Sequence, residues 1–432
     1  MEGGKLSRAS RAVRASPIQE LSLLAQRRGA INLAEGFPDF PAPPLLKRAA
    51  AAAVLADLNQ YTHVQGICDL LAESMKRNHG LDLNPVTDFV ICCGQTEAFA
   101  ASIFAGVEIP PRRVVNVSQR IVTVIDQGDE VLLFDPAYET YEACIALAGG
   151  VPVSSDYRLK KKELCYSHVY VELDPPHWTL NVDRFMKSFT SRTKAVVVNS
   201  PHNPTGKVFS MEELKVIAEA CCNKDCIAIT DEVYEYITFD MQRHTSLASF
   251  PGMQERTIIT SSLSKTFSVT GWRIGWACAP ATIASAIRNI HIKITDSAPA
   301  PFQEAALTAL RTPPDYFKSL KAEYEERRDC VVEMLSKIGF QIHFKPQGSV
   351  FVFAELPENW HLSDIDFVKN LIEKAGVAAV PGRGFFHGDP DGPSYQSRFV
   401  RFAFCKSMET LKAASEKMRE LVGNNGLLQP SD

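Results

Sequence analysis

No apolar run in this 432-residue chain reaches the roughly 18 residues that would span a membrane. Nor does charge of one sign prevail. The 46 basic residues stand against 50 acidic ones, a net charge of −4, which gives no electrostatic case for a nucleic-acid or anionic-membrane partner. Paired metal-ligand spacing is missing as well: Cys222 and Cys226 lie close together, but no second Cys or His pair stands at ligand distance, so no metal site is expected. Eleven cysteines is an odd count, and Cys92, Cys93, Cys278 and Cys405 sit in apolar surroundings. They read as reduced core residues, not as a disulfide framework. The first residues are basic and almost free of acid, as organelle transit peptides are. They run directly into apolar spacing from Pro17 that suits a structural helix, and the cytoplasm is the expected compartment.

What the chain does have is length and alternation. Its 432 residues exceed the roughly 250 to 300 at which one hydrophobic core usually suffices, so two domains are expected. From about Leu45 to Ala300, short β-branched runs alternate with helical patterns, the signature of an α/β domain with a largely parallel sheet. The expected strands are 88–93, 130–134, 194–198, 227–230, 257–260 and 272–276. Ligands of such sheets bind at the carboxyl ends of the strands, and the polar residues of interest fall there.

After the first strand, Gly94-Gln95-Thr96 opens a helix whose free N–H groups suit a phosphate, although Thr96 as an ordinary helix cap explains the turn equally well. After the second comes Tyr138, a ring able to stack on a flat heteroaromatic group. The third ends in Asn203-Pro204-Thr205-Gly206, a turn by any reading. The fourth ends in Asp231-Glu232-Val233-Tyr234, placing a carboxylate where it can keep a buried pyridinium nitrogen protonated. The fifth leads into Ser262-Leu263-Ser264-Lys265, followed by Arg273. That is an amine beside an apolar run, flanked by the hydroxyls and guanidinium that a phosphate needs. Each loop alone favours a structural explanation. Their succession at strand ends does not.

With Asn32 to Phe40, Asn59-Gln60-Tyr61-Thr62 and Arg398-Phe399-Val400-Arg401-Phe402 added, the chain resembles the fold-type I pyridoxal-phosphate enzymes, specifically class-I aminotransferases of the kynurenine aminotransferase, glutamine transaminase K and cysteine-S-conjugate β-lyase group. The resemblance runs from about Ile31 to Lys406. It implies a large domain (45–311) with a mostly parallel seven-stranded sheet, a smaller α+β domain (312–432), and an N-terminal segment (1–44) packed with the latter. In the smaller domain Lys345 to Phe353 and Arg398 to Phe404 read as strands, and the segments near 367–375 and 409–422 as helices. It also implies roles. Lys265 binds pyridoxal 5′-phosphate covalently and then moves the substrate proton. Asp231 faces the ring nitrogen, Asn203 and Tyr234 hold the phenolic oxygen, and Tyr138 stacks on the ring. Gly94, Gln95, Thr96, Ser262 and Arg273 take the phosphate, and Tyr61 reaches it from the neighbouring subunit of a homodimer. Arg401, with Asn203, binds the substrate α-carboxylate, and Gly36 lies in the loop that closes over the substrate.

The implied reaction moves the amino group of an L-amino acid of aromatic, kynurenine, methionine or glutamine type to a 2-oxo acid. The alternative is a β-lyase of the same fold. An effector domain of a transcription regulator is disfavoured, because the N-terminal part is too short for a winged-helix DNA reader. One segment, 106–123, departs from the family pattern: Gly106 and Pro110-Pro111 interrupt a helix whose apolar face continues from Ile103 to Val124. It is expected to be a surface excursion without catalytic residues.

Overall fold

In the computed structural model, which describes residues 17–105, 128–148, 153–154, 168–358, 360–361, 363–387 and 394–420, the apolar runs fold into one large and two small sheets. The expected excursion at 106–123 lies outside the described residues. Ile31–Asn32 forms a short strand, β1. The large sheet is built from β2 (Phe89–Cys92), β3 (Glu130–Asp135), β4 (Val153–Ser154), β5 (His168–Glu172), β6 (Thr193–Asn199), β7 (Ile227–Asp231), β8 (Thr257–Ser262) and β9 (Gly275–Cys278). Their order is β2-β9-β8-β7-β6-β3-β5-β4, parallel throughout except for β9, which runs antiparallel to both neighbours. The expected mostly parallel sheet is therefore present, with the two-residue β4 as an eighth strand at its edge.

Continuous apolar strands arise because helices cover both faces. Along β3, Val131 and Leu133 pack with Phe99, Ile283 and Ile287 on one side, while Leu132 and Phe134 pack with Leu214 and Ile217 on the other. The helix Met211–Lys224 starts at a capping box, with Ser210 and Glu213 each accepting the other's backbone N–H. A third core joins Phe89, Ile259 and Trp276 to Leu46, Ile67 and Ala305.

Toward the C-terminus, β10 (Phe351–Glu355), β11 (Val377–Ala378), β12 (Val380–Pro381) and β13 (Phe399–Ala403) follow. A three-stranded sheet, β10-β13-β12, sits beside the pairing of β1 with β11, which ties the N-terminal segment to this part of the chain. The expected helices near 367–375 and 409–422 are Asp364–Asn370, continued by a π turn over Leu371–Ala375, and Met408–Glu420.

Two expectations shift. The strand placed at 272–276 begins only at Gly275, because Thr270–Trp272 is a 3₁₀ turn and Arg273 adopts a left-handed φ of 57°. The strand expected from Lys345 begins at Phe351, since Pro346 and a φ of 62° at Ser349 break the extended run before it.

Candidate active site

Register assembles the site. Asn199 pairs with Asp231 and Asp231 with Thr260, while Cys92 and Ser262 both pair with Gly275. The loops that carry the candidate side chains therefore leave one edge of the sheet side by side.

At one end of that edge stands a cradle. Gly94, at φ 81°, is the N-cap of the helix Gln95–Phe104 and offers no side-chain cap. A Cβ at Gly94 would lie 2.4 Å from Arg273 Nη2, and one at Gly275 would lie 2.4 Å from the Gly94 carbonyl carbon. Arg273 donates to the carbonyls of Thr270 (3.0 Å) and Cys93 (3.2 Å), and Gln95 Nε2 donates to Thr260 Oγ1 (3.3 Å). Thr96 lies inside the helix and is exposed, so the cap explanation of this turn fails. Ser262 is buried and accepts from the Ser264 N–H. Free helix N–H groups, two bare Cα positions and a guanidinium without a carboxylate partner among the described residues suit a phosphate.

In the middle, Asp231 is buried, with Oδ2 accepting from the Tyr141 hydroxyl at 2.6 Å and Oδ1 from the Val233 N–H at 3.2 Å. Burial raises its carboxyl to about 6, against the opposing pull of those two hydrogen bonds and of Lys265. Tyr234 is buried, and burial together with Asp231 holds its phenol well above the ordinary range. Lys265 Nζ lies 5.9 Å from the Tyr234 ring centre and donates to the Gly36 carbonyl at 2.5 Å. Burial lowers the pKa of its amine, which favours the neutral, nucleophilic form. Tyr138 immediately precedes the helix Glu139–Leu147, with its ring centre 5.7 Å from that of Tyr141.

At the other end, Arg401 is buried on β13 between the rings of Phe351 (4.1 Å) and Phe385 (4.6 Å). It donates to Asn203 Oδ1 (2.9 Å) and to the Ala34 carbonyl (2.9 Å), while its Nε is buried without a partner. Burial lowers the guanidinium to about 10. A buried cation with an unused donor and no carboxylate beside it among the described residues is suited to an anionic ligand. Gly36 is fixed by the same wall, since a Cβ there would meet the Phe351 ring at 2.5 Å. Tyr61, by contrast, is 79 % exposed, outside this assembly in a single chain.

Three contributors escape sequence reasoning: Tyr141 under Asp231, and Phe351 and Phe385 around Arg401. Only Tyr141 leaves a signal, standing three residues after Tyr138 and so on the same helix face. Two clusters of metal-ligand type also occur among the described residues, His79 with Glu232 and His244, and Cys92 with Glu97 and His291. In each a histidine already contacts a carboxylate: His244 Nε2 lies 2.8 Å from Glu232, and His291 Nδ1 lies 3.0 Å from Glu97.

A cradle for a phosphate, a buried acid and a partly buried lysine on one edge of the large sheet, together with a buried arginine from β13 of the small sheet, define a cofactor-dependent enzyme of amino-acid chemistry. The sequence matches the aminotransferase class I and II family over residues 28–418, and the chain belongs to that family. A solved structure of N-succinyldiaminopimelate aminotransferase from Mycobacterium tuberculosis aligns with a TM-score of 0.84 at 36% identity, covering 96% of this chain and 100% of that one. The kynurenine–oxoglutarate transaminase of Dictyostelium discoideum is 33% identical over 93% of both chains. The methionine aminotransferase of Escherichia coli is 33% identical, covering 93% of this chain and 95% of its own. The chain is a pyridoxal-phosphate-dependent aminotransferase of fold type I.

Proposed function

We propose that this site transfers the amino group of a neutral L-amino acid, of aromatic, kynurenine, methionine or glutamine type, to a 2-oxo acid. The observation that carries this reading is Arg401, buried between Phe351 and Phe385 with Nε unused. A bidentate guanidinium fixes an α-carboxylate and so aligns the Cα–H bond for proton removal, while the aromatic walls suit an uncharged side chain. Relatives named for kynurenine and for methionine support that range.

Bound pyridoxal phosphate supplies an electron sink for the charge left at the substrate Cα. The chain's residues do the rest. Gly94, Gln95, Thr96, Ser262 and Arg273 hold the phosphate. Asp231, kept in place by Tyr141, would hold the proton on the ring nitrogen, Tyr138 would stack on the ring, and Asn203 and Tyr234 would bind the phenolic oxygen. Lys265 carries the proton from the substrate Cα, and Gly36 closes over the substrate.

Residues 45–311 and 312–432 are proposed as the large and small domains, with 1–44 packed on the latter. A homodimer is supported by the exposure of four large apolar side chains close in the sequence, Val54, Leu55, Leu58 and Tyr61, which a second copy would bury. Ten free cysteines among the described residues support a reducing compartment such as the cytoplasm. No helix among these residues is long and apolar enough to cross a membrane. The test is to incubate purified protein with a panel of amino acids and 2-oxo acids, following both amino transfer and pyruvate release. Transfer from neutral donors is expected; pyruvate from cysteine conjugates without transfer would favour the lyase.

A further inference from the structure

The loop Leu33–Phe40 carries Gly36 to the site and is stitched along its length to the far side of the cleft. Ala403 N donates to the Leu33 carbonyl (2.7 Å), Arg401 to that of Ala34 (2.9 Å), and Asp39 accepts from Ser407 N (2.5 Å) and Thr410 Oγ1 (2.6 Å). Between these anchors, two amines grip consecutive carbonyls: Lys265 takes Gly36 O at 2.5 Å, and Lys406 takes Phe37 O at 2.7 Å.

Lys406 is unusual in its own right. Its side chain is 1 % exposed, yet among the described residues it makes no ion pair, and its ammonium sits 4.0 Å above the centre of the Phe37 ring. The direct contacts of this buried ammonium are one carbonyl and one aromatic face, with the Asp39 and Glu35 carboxylates of the same loop near enough for their charges to act on it, so its burial depends on the loop being seated. The two grips also differ in permanence. Lys265 is the amine that the cofactor engages, and once engaged it no longer holds Gly36. Lys406 has no competing duty.

We propose that Lys406 is a positioning residue that holds the Gly36–Phe37 stretch over the substrate whenever Lys265 is committed to the cofactor. The inference rests on the reading of Gly36 as part of the closing loop. Through Phe37 O, Lys406 keeps Gly36 against Phe351 and thereby Phe351 against Arg401.

The test compares wild-type holoenzyme with Lys406→Met, which keeps the aliphatic stem, and Lys406→Arg, which restores a cation. Two readouts are taken: amide hydrogen exchange over 33–40, and KM against kcat for several donors. For Lys406→Met, exchange in the loop and KM for every donor are expected to rise about tenfold with kcat within about threefold, as for the loss of one charge-assisted hydrogen bond. Lys406→Arg should return most of both. Unchanged exchange in Lys406→Met, or faster exchange with unchanged KM, overturns the proposal. If Lys406→Met does not fold, Phe37→Leu removes the ring face instead, and unaltered exchange and KM there overturn it equally. Arg401→Lys is run alongside: if it leaves KM unchanged, the reading of the substrate site fails independently of Lys406.

Discussion

Replacing Tyr141 by Phe removes one oxygen, and with it the 2.6 Å hydrogen bond that holds Asp231 ionised against burial. A hydrogen bond to a charged acceptor contributes about 1.5–3 kcal/mol, equivalent to about one to two pKa units. Asp231, at about 6 in the wild type, would then titrate at about 7 to 8. At pH 7 its ionised fraction falls from about nine-tenths to between about one-half and one-tenth. The ring nitrogen needs an ionised partner, so affinity of the apoenzyme for pyridoxal phosphate should fall about two- to tenfold at pH 7 and recover toward pH 9. Titrating apoenzyme with cofactor by absorbance between pH 6 and 9 reads this directly. Equal affinities at every pH would refute the reasoning. A loss of the same size at every pH would show that Tyr141 acts through packing alone.

The raised carboxyl of Asp231 has a second effect, on stability. Its folded pKa lies above the unfolded value, so the native apoprotein holds an extra proton between roughly pH 4 and 6, and stability falls as pH rises through that window. Asp231→Asn should therefore lose cofactor binding yet stabilise the apoprotein at pH 8 by up to about 3 kcal/mol, with little effect below pH 4; calorimetry showing a less stable variant at pH 8 contradicts this. Arg401→Ala should lower kcat/KM for every amino donor alike, by about tenfold to a few hundredfold, because the α-carboxylate is common to all. A changed ranking of donors with efficiency kept would remove Arg401 from the carboxylate site. Deleting 106–123 should leave turnover intact and improve soluble yield; a well-folded deletion without activity would make the segment functional.

The strand-end residues were legible in the sequence because a parallel sheet obliges its loops to leave one edge, so order along the chain becomes order in space. That rule, the succession of such loops and their chemistry marked Lys265 and Asp231 as candidates, and the family resemblance supplied their roles. Phe351 and Phe385 were not legible, since aromatic residues in apolar runs look the same whether they fill a core or wall an arginine. The same holds for β5, His168–Glu172, which was not among the expected strands. Arg273 shows a subtler limit. Its neighbours alternate like a strand, but a left-handed backbone turns its side chain toward Cys93, and nothing in residue type announces that φ.

The central claim is that Lys265 is the residue to which the cofactor is bound. Reducing the purified holoenzyme with borohydride and mapping the modified peptide tests it most directly. A single pyridoxyl label on Lys265, absent in Lys265→Ala, is the expected result. A label on another lysine, such as the buried Lys207 or Lys406, would contradict it.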